Sequence, residues 1–420
     1  MFAADALLLA ALTFNAESPG EAIALVRAGC ARCAWGEAGR EAAALTLSVD
    51  GKYSQHLLLV RGEAPAEYRI SLGAVSAGRH ELTVDRDEAL SAKSAGDVSM
   101  DVPIVVVLPS GSDEYVAQSM APILHARPNT VGRFTDLPIL MWYEVVPTAR
   151  GQQYRYSVIF TNEDGGTETD RLMATWGRTT DIEFVYGVEI DANGRVLAEE
   201  FQGPGHEVPA FKGRHEAHHP LLWVSTDNNM VSESGSTAVR YAPAPERFDL
   251  TNTSREAVMD RHPWSYAAAS EEMRREGKIA DTPPGHNTIP DPRRFVYVEA
   301  CGEVGNAALS FAVVFKNKKV ISSDRGLEKY RIVRSGCFRA AIPLPSGAHA
   351  RDIERLRARA YARPPAPGRP VARADRVRLT RINTIFMLDE HYQPGPSMMQ
   401  RWTGIAPIDP GGPPFDVPLK

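Results

Sequence analysis

Short segments in which apolar and polar residues alternate run along the first quarter of the chain. Leu45, Leu47 and Val49 alternate with Thr46 and Ser48, and turn residues separate five such segments between residues 42 and 106. A period of two places successive side chains on opposite faces of a β-strand. Short strands divided by frequent turns are typical of a β-sandwich. Residues 1–115 are therefore predicted to form an immunoglobulin-like or fibronectin-like sandwich.

The alternation continues beyond residue 116. Its clearest example is DIEFVYGVEID, residues 181–191, which is followed by the hairpin turn signal Asn193-Gly194. We therefore predict an all-β protein in which residues 116–420 form a second, larger β-sandwich domain with few helices. The exceptions predicted within it are an irregular insertion at 226–292, a helix at about 265–278, a basic helix at about 352–361 and a Pro-rich linker at 363–371.

Composition narrows the classes of partner. The chain has 420 residues, of which 43% are hydrophobic and 24% charged, and its formal net charge is −5. This balance gives no general attraction to nucleic acid or to an anionic membrane. The apolar run at residues 6–12 is too short to cross a bilayer, so no membrane span is predicted. Oligomeric state is not indicated.

The four cysteines fit two alternatives. Cys30 and Cys33 form a C-x-x-C pair, whereas Cys301 and Cys337 stand alone, so a zinc ribbon lacks its second pair. Bridges between 30 and 33 and between 301 and 337 would indicate an oxidising compartment. Reduced structural thiols are the alternative. We predict an extracytoplasmic location, either periplasmic or secreted.

An H-E-x-x-H sequence occurs at His215, Glu216 and His219. Two histidines four residues apart share a zinc-binding face only on an α-helix. Pro220 disfavours the helical conformation at His219, so the stretch is expected to be a loop that enters a strand. A zinc hydrolase is kept as an alternative function.

Acidic residues upstream offer a different metal site. Asp181 and Glu183 lie two apart on a predicted strand, so their side chains share a face about 7 Å apart. Asp170 precedes them, and the glycines at 165, 166 and 177 permit tight turns. Three carboxylates suit Ca²⁺, Mg²⁺ or Mn²⁺ better than Zn²⁺.

WGRTTDIEFV, residues 176–185, resembles a divergent form of the G-H-R-H-D-W-E motif of necrosis- and ethylene-inducing-peptide-like proteins. It is also similar to the G-D-W-E-H-V stretch of a fungal family associated with vacuolar protein sorting. MAPIL at 120–124 resembles the H-A-P-I/L opening of that family, and HPLLWVSTDNN at 219–229 resembles its later H-P-V-V-Y strand. The resemblance implies a β-sandwich whose divalent cation would be held by Asp181, Glu183 and Asp170. The chain departs from the motif at Arg178, Thr180 and Ile182, which replace two histidines and a tryptophan.

The leading hypothesis is a cation-dependent enzyme, a hydrolase or lyase that acts on a polysaccharide or other glycan. The predicted acids or bases are His206, His215 and His219. Predicted substrate-binding residues are Trp176, Arg178, Trp223, Asp227 and Asn228, with the tryptophans as stacking surfaces for sugar rings.

Two other hypotheses use the same residues. A non-catalytic module would use the cation to bind a glycan or a lipid headgroup. Alternatively, Arg178 neutralises the carboxylates and no metal is bound. For any single tryptophan or histidine, a place in the core or in solvated surface is the simpler interpretation.

Overall fold

A computed structural model describes residues 7–163, 165–235, 237–363 and 373–419. Strands predominate in these ranges and the helices are short, so the all-β prediction is confirmed. Apart from Arg363, the predicted Pro-rich linker lies outside the described residues. Within the described ranges, no helix has the length and apolar character needed to cross a bilayer.

The chain divides into two compact units. The first comprises Met1–Gly166 and Thr180–Asp249, and the second comprises Thr167–Thr179 and Leu250–Lys420. The domain boundary predicted after residue 115 lies inside the first unit. The division after Asp249 falls inside the segment predicted as an irregular insertion.

The first unit begins with two antiparallel sheets, as expected for an N-terminal sandwich. One sheet has the order β1-β6-β3-β4, and in the other β5, β7 and β8 all pair with β2. The strands are β1 (Leu7–Ala16), β2 (Gly20–Cys30), β3 (Ala44–Val49), β4 (Lys52–Leu58), β5 (Ala66–Val75), β6 (Gly78–Asp87), β7 (Val98–Met100) and β8 (Ile104–Pro109).

Two further sheets complete the first unit, with orders β13-β12-β11-β10-β18 and β14-β15-β9-β17, while β16 pairs with β15. The predicted strand at 181–191 is β12, and the Asn193-Gly194 turn connects it to its antiparallel neighbour β13. The elements are α1 (Asp113–Ser119), β9 (Ile123–His125), β10 (Pro138–Pro147), β11 (Gln152–Phe160), β12 (Asp181–Ile190), β13 (Val196–Phe201), a 3₁₀ turn (Pro204–His206), β14 (His215–Glu216), β15 (His219–Val224), β16 (Val231–Ser232), β17 (Arg240–Tyr241) and β18 (Glu246–Arg247).

The second unit contains two four-stranded sheets, with orders β22-β19-β24-β25 and β21-β20-β23-β26. The helix predicted at about 265–278 is confirmed as α4. The elements are α2 (Thr169–Trp176), α3 (Ala257–Arg261), α4 (Trp264–Arg275), β19 (Phe295–Glu303), β20 (Ala307–Phe315), β21 (Val320–Ser322), β22 (Gly336–Pro343), β23 (Ile353–Ala362), β24 (Val377–Phe386), β25 (Trp402–Ile408), β26 (Phe415–Pro418) and 3₁₀ turns at Pro292–Arg294, Glu328–Tyr330 and Ala350–Asp352.

The helix predicted at about 352–361 is wrong, because this segment is strand β23. Leu356, Ala358 and Ala360 are buried in the core of the second unit, and the arginines between them point the other way. Arginine, alanine and leucine favour helices when the chain is taken locally. Antiparallel pairing of β23 with β20 overrides that preference.

The disulfide alternative, and not that of reduced thiols, is the one present: Cys30 and Cys33 are bridged in the first unit, and Cys301 and Cys337 in the second. Cys301 and Cys337 are directly opposite each other on β19 and β22. Disulfide bonds are typical of oxidising, extracytoplasmic compartments.

Removing the Cys301–Cys337 bridge is expected to destabilise the protein more than removing Cys30–Cys33. The bridges span sequence separations of 36 and 3 residues, and closing the longer loop restricts the unfolded chain more. The double variant C301A/C337A is expected to lose about 2 kcal/mol more unfolding free energy than C30A/C33A. Urea unfolding of both variants measures the difference, and an equal or reversed loss would contradict this account.

Candidate functional site

The three carboxylates predicted to bind one cation have different partners. Asp181 Oδ2 accepts a hydrogen bond from Asn229 Nδ2 at 3.1 Å, and Glu183 accepts one from Gln202, all in the first unit. Asp170 belongs to the second unit. Among the described residues, no group of three or more His, Cys, Asp or Glu side chains is arranged to hold a metal ion. Cation binding stays a prediction.

Asp181, which is buried, and Asp227, which is exposed, belong to one polar network in the first unit. Arg127 donates to both Asp136 and Asp227. Asn229 Nδ2 lies 3.3 Å from Asp136 Oδ1 and 3.1 Å from Asp181 Oδ2. We call these five residues the Arg127 network. Asp181 and Asp227 were predicted from the sequence, but Arg127 and Asp136 in the loop between β9 and β10 and Asn229 in the loop before β16 were not.

Asn228 lies beside this network. Its Oδ1 accepts a hydrogen bond from Thr226 Oγ1 at 2.8 Å within the loop that precedes β16. The neighbouring Asp227 carboxylate is largely exposed. The structure therefore leaves Asp227 accessible from solvent, as a substrate-binding residue would require.

The H-E-x-x-H residues lie on a β-hairpin, which confirms the expected entry into a strand. Glu216 pairs with His219 across the turn between β14 and β15. His215 Nε2 lies 2.7 Å from Glu199 Oε1 on β13. The helical zinc-hydrolase alternative is wrong for this stretch, because the hairpin does not form the helical face that the motif requires. His206 is exposed in the 3₁₀ turn.

His219 is buried in an ion pair within the first unit. Its Nε2 lies 3.1 Å from Glu21 Oε2 and its Nδ1 lies 2.8 Å from the Ala121 carbonyl oxygen. Because both ring nitrogens face acceptors, the geometry favours the doubly protonated ring. Burial opposes the charge, but Glu21 and the carbonyl outweigh it and raise the pKa of His219. These contacts favour a structural role for His219.

This pair makes stability depend on pH. The pKa of His219 is higher in the folded protein than its unfolded value of about 6.5, so its stabilising contribution is complete below that pH. The contribution is lost as pH rises through the folded pKa, at about 1.4 kcal/mol per pH unit. In E21Q this loss should disappear. Urea titrations at several pH values test it, and equal slopes in E21Q and the wild type would contradict it.

The predicted aromatic and arginine residues are mostly enclosed. Trp223 is buried and stacks on His125 with ring centroids 4.6 Å apart, which confirms the simpler interpretation of a core residue. Trp176 is half-buried at the end of α2, with the Arg334 guanidinium 4.8 Å from its ring centroid. Arg178 is buried, and its Nε lies 3.4 Å from Glu256 Oε1.

Asp170 has a carboxylate oxygen without a hydrogen-bond partner among the described residues. The side chain is 2% exposed near the start of α2. Its Oδ2 accepts a hydrogen bond from the Gly285 N–H at 2.9 Å, whereas Oδ1 is the oxygen without a partner. Asp170 lines a cavity of about 10 Å³ in the second unit. A space of this size holds one water molecule or one hydroxyl group.

Arg325 and Tyr330 complete the surroundings of this carboxylate. Arg325 Nη1 lies 3.9 Å from Asp170 Oδ2, and its Nη2 donates to the Thr282 carbonyl oxygen at 2.8 Å. Burial and the negative charge of Asp170 raise the pKa of Tyr330. The φ of Arg325 is +48°, a left-handed conformation uncommon outside glycine and often found at functional sites.

A larger groove adjoins the cavity. It has a volume of about 680 Å³, and Pro290, Arg325 and Pro343 line both spaces. Its remaining lining combines an Asp281–Arg294 ion pair with aliphatic side chains. We call the cavity and groove together the Asp170 site. Asp170 was predicted from the sequence, but its partners Gly285 and Arg325 were not, because they lie far along the chain and share no motif with it.

No protein-family model and no curated protein sequence matches the chain. Among solved structures, the chain is similar to one described as "EclA C-terminal domain; sugar-binding protein". The match has 23% sequence identity and a TM-score of 0.18, and it covers 24% of this chain and 68% of the other. A TM-score of this size carries no conclusion about this chain. The resemblance to necrosis-inducing and vacuolar-sorting proteins stays a prediction.

Proposed function

We propose that the protein binds a glycan in the Asp170 site outside the cytoplasm. The observation that supports this most is the buried Asp170 Oδ1, which lacks a hydrogen-bond donor among the described residues and lies beside an open groove. A buried carboxylate oxygen without a donor costs free energy. A ligand hydroxyl that enters the cavity supplies the missing hydrogen bond.

Size and charge favour a hydroxyl over other donors. A cavity of about 10 Å³ fits a hydroxyl oxygen better than it fits a guanidinium or an acetamido group. The Gly285 N–H and the Arg325 guanidinium approach Asp170 Oδ2, and Asp170 is the one acidic residue in the described cavity lining, so a metal cation would find a single carboxylate beside a positive charge. Sugars present many hydroxyl groups of the required size. Water is the competing occupant, and the ligand must displace it.

The location follows from the two disulfides, which indicate an oxidising compartment. We therefore propose a periplasmic or secreted protein, in agreement with the sequence-based prediction. Catalytic cleavage of the bound glycan stays a prediction.

Isothermal titration calorimetry of the full chain against a panel of soluble oligosaccharides tests the proposal. We expect at least one oligosaccharide to bind with a saturable isotherm. Chromatography of the same mixtures after long incubation shows whether the sugar is cleaved. If every oligosaccharide fails to bind, including long ones, glycan binding by this site is wrong.

A divalent cation in the Arg127 network is the second candidate function. The Asn229 Nδ2 has two hydrogens but three acceptors, namely Asp136 Oδ1, Asp181 Oδ2 and the Asn162 carbonyl oxygen at 3.1 to 3.3 Å. The Oδ1 of Asn229 is buried and has no partner among the described residues. Rotating the Asn229 side-chain amide by about 180° would place its oxygen beside these three acceptor oxygens. Four oxygens of this kind are ligands that Ca²⁺ prefers.

Calcium, magnesium and manganese titrations test this second candidate. An ion held in the Arg127 network should raise the unfolding free energy by about 2.7 kcal/mol at 100 times its Kd, and a chelator should reverse the gain. The variant D181N should lose the effect, whereas D170N should keep it because Asp170 lies outside the network. If none of the ions changes the melting temperature of the wild type, cation binding is wrong.

A further inference from the structure

The charged side chains that line the Asp170 site form two acid–base pairs. Arg294 Nη1 donates to both carboxylate oxygens of Asp281 at 2.9 Å. Arg325 Nη1 lies 3.9 Å from Asp170 Oδ2. These four are the charged residues among the described lining of the cavity and the groove. The lining therefore has no net charge.

A charged ligand would disturb this balance. A carboxylate or phosphate placed at the inner end would lie close to Asp170, and no cation in the lining is left without an acidic neighbour to receive it. An ammonium group would meet the same difficulty beside Arg325. An ion removed from water without a dedicated partner carries a large desolvation cost. The lining thus disfavours ligands of either sign.

Apolar side chains form much of the remaining surface of the groove. Two aliphatic side chains of the edge strand β21 and several prolines supply this surface, and Val320 is 47% exposed. The apolar lining residues are Pro290, Val320, Ile321, Pro343, Leu344 and Pro345. A pyranose ring with equatorial hydroxyls offers a matching C–H face, which aliphatic side chains cover without losing hydrogen bonds.

We infer that the ligand of the Asp170 site is an uncharged sugar. One of its hydroxyl groups donates a hydrogen bond to Asp170 Oδ1, and its C–H face packs against the apolar surface of the groove. This inference rests on the proposed glycan binding and names the class of glycan. Arg325 is the residue that sets the selectivity, because it balances the charge of Asp170. Arg325 lies in a turn that is held by a hydrogen bond from the Gly326 N–H to Asp324 Oδ1 at 3.2 Å.

Calorimetry of the full chain with matched sugars tests the inference. The probes are oligosaccharides of glucose, of glucuronic acid and of glucosamine, with the corresponding galactose series. We expect a neutral oligosaccharide to bind at least about 10-fold more tightly than its uronic acid and amino counterparts. Its affinity should not change between about 50 and about 500 mM NaCl, because no net charge is paired on binding.

The variant R325N separates selectivity from folding. Asparagine tolerates the left-handed conformation at this position, so the turn is expected to persist. Loss of the guanidinium leaves the charge of Asp170 unbalanced, and preference should shift by about 10-fold toward the amino sugar. If Arg325 only stabilised the fold, R325N would weaken the binding of all three sugar classes by the same factor. Circular dichroism and thermal unfolding confirm that R325N remains folded.

Three results can be distinguished. Binding of neutral sugars with the selectivity shift in R325N supports the inference. Salt-sensitive binding of uronic acids or amino sugars alone overturns the inference but leaves the proposed glycan binding intact. Absence of binding by every sugar in the panel overturns both.

Discussion

Replacing Arg339 with alanine is expected to lower the unfolding free energy by about 3 to 5 kcal/mol. The Arg339 side chain is fully buried in the second unit, where it donates to Asp260 on α3 and to Glu299 on β19. It also donates to the Tyr266 hydroxyl oxygen on α4 at 2.6 Å. One guanidinium thus connects both helices to the sheet, and its loss leaves the Glu299 carboxylate buried without its counterion.

Arg357 provides a matched control. It forms a two-point ion pair with Asp416 in the same unit, with both distances 2.8 Å, but its side chain is 23% exposed. Exposed pairs contribute little because water screens them, so R357A should cost at most about 1 kcal/mol. Urea unfolding of both variants at neutral pH measures the difference. If R339A and R357A lose similar amounts of unfolding free energy, burial of Arg339 does not increase its contribution to stability.

Replacing Asp170 with alanine is expected to weaken glycan binding by about 10- to 100-fold. A hydrogen bond to a charged acceptor contributes about 1.5 to 3 kcal/mol, and alanine removes the acceptor completely. Asparagine keeps the shape and loses the charge, so D170N should have an intermediate affinity. Calorimetry with the tightest-binding oligosaccharide of the panel gives these values.

Glu168 is the control for this variant. It lies two residues before Asp170, but its carboxylate is 40% exposed and pairs with Lys329. E168Q should therefore bind the oligosaccharide as the wild type does. If D170A and E168Q both bind with wild-type affinity and have wild-type melting temperatures, the ligand does not contact Asp170.

Much of the fold is predictable from period-two alternation, which identified β12 and, in the N-terminal sandwich, β3 to β6 and β8. Strand β23 was predicted as a helix, because its arginine, alanine and leucine residues favour helices locally. Its pairing with β20 overrides that preference. The boundary predicted at residue 115 lies just after β8, and the residues on both sides of it belong to the first unit. Residues 167–179 belong to the second unit because of how they pack, and no local sequence pattern predicts that packing.

The candidate site was predictable only in part. Asp170 was predicted as a ligand of a divalent cation together with Asp181 and Glu183, whereas the structure shows it in the other unit, with one carboxylate oxygen that lacks a partner among the described residues. Its neighbours Gly285 and Arg325 come from distant loops, so spacing along the chain cannot reveal them. The H-E-x-x-H sequence was correctly discounted because Pro220 disfavours a helix at His219. Spacing alone would have suggested zinc.

A crystal structure of the full chain with the tightest-binding neutral oligosaccharide tests the central claim most directly. The account predicts a sugar hydroxyl oxygen about 2.5 to 3.0 Å from Asp170 Oδ1, with the rest of the sugar in the adjoining groove. A sugar bound elsewhere while water fills the Asp170 cavity would contradict it, and so would a metal ion about 2.3 to 2.6 Å from that oxygen.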